Sequence, residues 1–196
     1  MSNSIAFALL VVTVLLTPGP TNTLLATAGA TVGWRRALSL IPAELIGYAV
    51  SIMLLALLLR PLTETSASIS TGLRLGCAAY LVLAAWHLWR SGMPSLVKAP
   101  RPARFQDVLV TTLLNPKGLL FALGIFPGSA TETPASFFPY LAAFSVICTG
   151  VAFSWIVFGA MLGRAASGHV ATRRFSQVGA VVLACFALSL VTSTMR

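Results

Sequence analysis

The sequence predicts an all-α membrane protein. Six transmembrane helices form two inverted three-helix repeats, with helices 1 and 4 broken at prolines. Three observations carry this. Hydrophobic residues make up 57% of the chain and charged residues only 9%, against about 25% charged in a soluble domain. The apolar runs last about 20 residues, long enough to cross a bilayer as helices, and lack the strict alternation of a transmembrane barrel. A Leu-Leu-polar-Pro motif occurs twice, as Leu15-Leu16-Thr17-Pro18 and Leu113-Leu114-Asn115-Pro116. With 196 residues, roughly 20 per span plus short loops leaves room for about six spans. The whole chain, 1–196, reads as one domain, with repeat one over about 1–92 and repeat two over about 105–196.

Span one runs from about Ile5 to Thr27. No Lys or Arg precedes it, so it reads as a retained span and not a signal peptide. Its second half opens with Pro18, Gly19 and Pro20. Each proline lacks a backbone N–H and crowds the carbonyl one turn earlier. In hydrocarbon the freed groups must find partners inside the protein, and Thr17, Thr21 and Asn22 stand beside the break to supply them. Broken helices mark binding sites in transporters, because exposed backbone dipoles hold polar solutes or ions. Packing alone is the other reading of such a kink.

Ala28 to Arg36 reads as a loop, and span two follows from Ala37 to Leu59, ended by Arg60-Pro61 and the polar stretch Thr63 to Ser70. Span three covers Thr71 to Trp89, and Ser91 to Arg104 forms a basic linker with three prolines. Span four, Val108 to Phe126, is interrupted at Asn115-Pro116-Lys117. Pro127 to Pro134 is a turn-rich loop, Ala135 to Leu162 is span five, Gly163 to Arg174 a second basic loop, and Ser176 to Thr192 span six.

The net charge of +9 serves topology rather than nucleic acid, because the basic residues sit in short segments between apolar runs. Nine of them fall in the loops after spans one, three and five. The positive-inside rule then puts those loops in the cytoplasm and both termini outside. Trp34, Trp86 and Trp89 gather at the inner boundary, where amphipathic rings anchor.

Two charges lie inside the spans. Glu44 is ~10 Å deep in span two and Lys117 ~14 Å deep in span four, at 1.5 Å per residue. An ionised group there costs on the order of 3 kcal/mol and normally faces a cavity or another charge. A Glu44–Lys117 pair would neutralise both. Their structural alternatives are a hydrogen bond from Glu44 to backbone freed by Pro42, and snorkelling of the Lys117 stem. Tyr48 and Tyr80 are candidates to hydrogen-bond in the cavity or simply to pack. His87 reads as a boundary anchor. Gly72 with Gly76, and Gly159 with Gly163, permit close helix approach, in a homodimer or within one subunit.

Enzyme and metal chemistry find no support. His87 and His169 stand far apart with no ligand at metal spacing, and there is no Ser-His-acid set, phosphate loop or cofactor motif. Cys77, Cys148 and Cys185 form no Cys-x-x-Cys pair and read as small buried residues, away from both breaks.

Taken together, Thr17-Pro18-Gly19-Pro20, Gly33-x-Arg35-Arg36-Ala37, Glu44 before Gly47, Gly76-Cys77-Ala78-Ala79-Tyr80-Leu81 and Leu114-Asn115-Pro116-Lys117 resemble the LysE/RhtB family of bacterial amino-acid exporters over nearly the whole chain. Two positions depart from its pattern: Thr21 stands between Pro-Gly-Pro and Asn22, and the family's acid is more often Asp than Glu. The resemblance implies six spans in the bacterial inner membrane and proton-coupled efflux of amino acids or their derivatives, with no cofactor. The expected substrate site comprises Thr17, Pro18, Gly19, Pro20, Asn22, Glu44, Asn115, Pro116 and Lys117. The rivals are a membrane thiol-electron carrier of related six-helix plan, and an exporter of metal ions or other small solutes.

Overall fold

A computed structural model describes residues 2–91, 102–127 and 133–164, and isolated helical positions between 177 and 192. Most of span six and most of the second basic loop lie outside the described residues, as do 92–101 and 128–132. The described chain is helical and contains no strand.

Helix α1, Ser2–Leu16, and α2, Pro20–Val32, meet at a 62° bend. Pro18 and Gly19 form the break. Pro20 is instead the first residue of α2, where a missing N–H costs nothing and the fixed φ suits a helix start. The predicted loop from Ala28 is a correction, because α2 continues to Val32. Its small residues form a packing seam. A Cβ on Gly29 would lie 2.0 Å from the Ile156 carbonyl oxygen, and one on Gly159 would lie 1.9 Å from that of Ala26. The partner helix is α8, Pro134–Arg164. Missing Cβ atoms let the two backbones touch. Gly159 and Gly163 are thus used inside the subunit, whereas Cβ atoms on Gly72 and Gly76 would meet nothing within 4 Å among the described residues.

The true turn is Gly33, at φ +81°, a conformation that only glycine adopts without strain. A short α3, Trp34–Ala37, and a 3-10 turn, Leu38–Leu40, lead into α4, Ile41–Thr65. Pro42 sits in the first turn of α4, so it frees no backbone group within the span. Arg60-Pro61 does not end the helix, a second correction. One lost backbone bond near its close is absorbed, and the chain turns at Ser66 in extended geometry. Helix α5 covers Ala67–Ser91.

Helix α6, Phe105–Leu113, starts with Asp107 accepting the Arg104 N–H at 2.9 Å. It bends by 49° into α7, Lys117–Leu120, which continues as a π-helical turn over Phe121–Ile125. Among the described residues, two helical stretches, Trp34–Ala56 and Ala135–Gly163, are long and apolar enough to cross a membrane, and up to four if each bent pair is one span. The core lies where α2, α4, α6, α7 and α8 converge, and it encloses the polar residues described next.

Candidate functional site

The break in span one exposes the last carbonyls of α1, which have no partner within the helix. Each of three finds one. Val14 O accepts from the Thr17 hydroxyl at 2.6 Å. The Asn22 side-chain amide reaches back to Leu15 O at 2.7 Å and Thr17 O at 2.8 Å. Lys117 Nζ arrives from the other broken span and donates to Thr17 O at 2.6 Å. Gly19 makes room for it: a Cβ there would sit 3.2 Å from Lys117 Cε.

The second break closes differently. Asn115 Oδ1 accepts the Lys117 backbone N–H at 3.0 Å, which caps the new helix start from within. Its Nδ2 donates to Thr21 Oγ1 at 3.0 Å and to Tyr48 Oη at 3.2 Å. Thr21 in turn meets Thr112 Oγ1 at 3.2 Å, and Thr112 donates to Val108 O at 2.7 Å. One continuous hydrogen-bonded chain thus joins α2, α4, α6 and the Asn115 turn. Gly47 permits the approach of α4 to α6, since a Cβ would lie 2.7 Å from Thr112 Cβ.

Glu44 is 1% exposed, and its Oε2 has no hydrogen-bond partner. It lies in the first turn of α4, where the helix dipole favours negative charge. The expected Glu44–Lys117 ion pair is not formed. The Lys117 amine is instead committed to the Thr17 carbonyl. A helix C-terminus attracts a cation for the same reason that a carboxylate does.

An aromatic wall covers the cluster. Tyr48, Phe121 and Phe144 pack edge to face with centroids 4.9–5.7 Å apart, and Phe126 extends the wall to Phe7. Cys148 lies one helical turn from Phe144 and is buried with it and Phe121 in the core beside the second break. This corrects the expectation that the cysteines lie away from both breaks. Cys185 is exposed; the side chains of Cys77 and His87 lie outside the described residues.

Of the predicted site residues, Thr17, Pro18, Asn22, Glu44, Asn115 and Lys117 are buried together, with Gly19 and Pro116 at the two turns. Pro20 is exposed and does not face the cluster. Tyr48 belongs to it, whereas Tyr80 is exposed. Thr21, Thr112 and the aromatic wall are additions; the signal for the first two is a hydroxyl inside an apolar run.

Two helix breaks lie together here around a buried acid and a buried amine, and in transporters paired breaks of this kind are where binding sites occur. The sequence profile of the LysE type translocator family matches residues 12–194. The chain belongs to the LysE type translocator family. As a member it is a membrane protein that moves small solutes such as amino acids. Neither a curated protein nor a solved structure matches the chain. The family match covers both breaks, the buried acid and the buried amine.

Proposed function

We propose that this LysE type translocator is a proton-coupled secondary exporter of amino acids or their derivatives across the bacterial inner membrane. The observation that carries the reading is the Glu44 Oε2, buried without a partner where the two helix breaks meet. Leaving such an acceptor unmade costs about 1–3 kcal/mol, more when it is charged. A transport site justifies that cost, because the oxygen can take a proton or the ammonium group of a substrate. Lys117 has three donors and spends one on Thr17 O. The others can meet a substrate carboxylate.

Charge counting narrows the substrate. Among the residues whose side chains are described, Glu44 and Lys117 are the only buried charged ones. One acid and one amine complement the two ends of a zwitterion and leave nothing to balance a charged side chain. The wall of Tyr48, Phe121 and Phe144 suits an apolar one. We therefore take the substrates to be amino acids with neutral side chains.

Six spans in inverted repeats, with the basic loops in the cytoplasm and both termini outside, complete the proposal. A homodimer would use the open face of α5 at Gly72 and Gly76. A thiol-electron carrier would need a second thiol beside Cys148, so a variant with all three cysteines changed to Ala keeps full transport on our reading.

The test is counterflow in proteoliposomes loaded with single amino acids. Leucine, methionine and phenylalanine exchange well above background, and lysine, arginine and glutamate do not. Lysine exchange equal to that of leucine would overturn the charge argument. The absence of exchange with every amino acid would overturn the export reading itself.

A further inference from the structure

The cation at the first break is part of the protein. The carboxyl end of α1 presents Leu15 O and Thr17 O to the break, at the negative end of the helix dipole. Glu44 adds a buried carboxylate with Oε2 unpartnered, one turn before Tyr48 on α4, and Tyr48 accepts from Asn115 at the Lys117 turn. Carbonyl and carboxylate oxygens are the donors that hard cations take, and unwound carbonyls at half-helix ends are where carriers coordinate Na+. In this chain Lys117 Nζ fills that position, 2.6 Å from Thr17 O, against the bare Cα of Gly19. The amine arrives from 100 residues away in sequence, and it is 6% exposed.

We propose that the Lys117 amine is a tethered substitute for a coupling monovalent cation, so that the native carrier is indifferent to Na+ and its removal opens a monovalent-cation site between Thr17 O and Glu44. A single carboxylate and neutral carbonyls match one positive charge, so the vacated site takes Na+, K+, Li+ or a small ammonium ion and not a divalent one. The inference concerns the cation position alone and does not depend on which solute is exported.

The experiment is thermal unfolding of the purified full chain in nanodiscs, in choline chloride and then with about 100 mM choline replaced by Na+, K+, Li+ or methylammonium. The native protein unfolds within about 1 °C of the same temperature in every salt. Lys117→Ala gains about 2–4 °C with at least one small cation, the range expected when ligand binding stabilises a chain of this size. Lys117→Met keeps the stem in place and gains less, and adding Glu44→Gln to Lys117→Ala removes the gain. Stabilisation of the native chain by Na+ would overturn the proposal. So would a folded Lys117→Ala blind to all four cations, or failure of both Lys117 variants to fold in any of these salts.

Discussion

The two breaks begin with similar words, Leu-Leu-Thr-Pro and Leu-Leu-Asn-Pro, yet they are closed in different ways. The first draws its closing groups from beyond the turn. Asn22 reaches back to two carbonyls, and Lys117 comes from the second break. The second is closed from within, by Asn115 Oδ1 on the Lys117 N–H, and it runs into a π-helical turn. Their second halves are also held differently. Helix α2 lies backbone to backbone on α8. Helix α7 meets α4 through a side chain, since a Cβ on Gly118 would lie 2.3 Å from Ser51 Oγ. A backbone seam cannot yield by rotating a side chain, whereas Ser51 can turn aside. π-Helical turns often sit at functional sites. The contrast predicts that the first break is the fixed wall of the site and the second the side that yields.

Substitutions at the two seams test this contrast. The largest effect is expected for Gly159→Ala, which drives a methyl group into the Ala26 carbonyl. Overpacking a tight core costs typically 1–3 kcal/mol and sometimes more, and a backbone collision belongs at the upper end. Expression and thermal unfolding in lipid should both fall sharply. Next comes Asn22→Leu, which strips donors from two carbonyls at about 1–3 kcal/mol for each group left unsatisfied. Part of that loss is recovered at Thr17 O, which keeps Lys117. Gly118→Ala should be the mildest, about 1 kcal/mol, because Ser51 can shift. A larger loss of unfolding temperature for Gly118→Ala than for Gly159→Ala would reverse the assignment of fixed and moving sides.

Much of this was legible in the chain. Proline next to a polar residue inside an apolar run marks both breaks. Asn22, Glu44, Asn115 and Lys117 stood out because polar groups are expensive in hydrocarbon. Their convergence followed from that cost, since each had to be hidden from lipid. The partners were not legible. Whether Lys117 bonds Glu44 or the Thr17 carbonyl depends on where α1 ends relative to α7, and no local pattern encodes that. Residues 28–32 look like a loop in composition, and become helix only because α8 offers a matching seam. Cys148 joins the cluster for a similar reason. It shares a helix face with Phe144, and only the packing of α8 on α4 says what that face meets.

Gradient-driven export by Glu44→Gln tests the central claim, that the unpartnered oxygen of Glu44 couples proton movement to transport. Glutamine keeps the shape but cannot carry the proton. In proteoliposomes with an imposed pH gradient, the variant should fold normally, retain part of its amino-acid exchange, and lose net gradient-driven export. Net export at the native rate, with the native response to the gradient, would contradict the account.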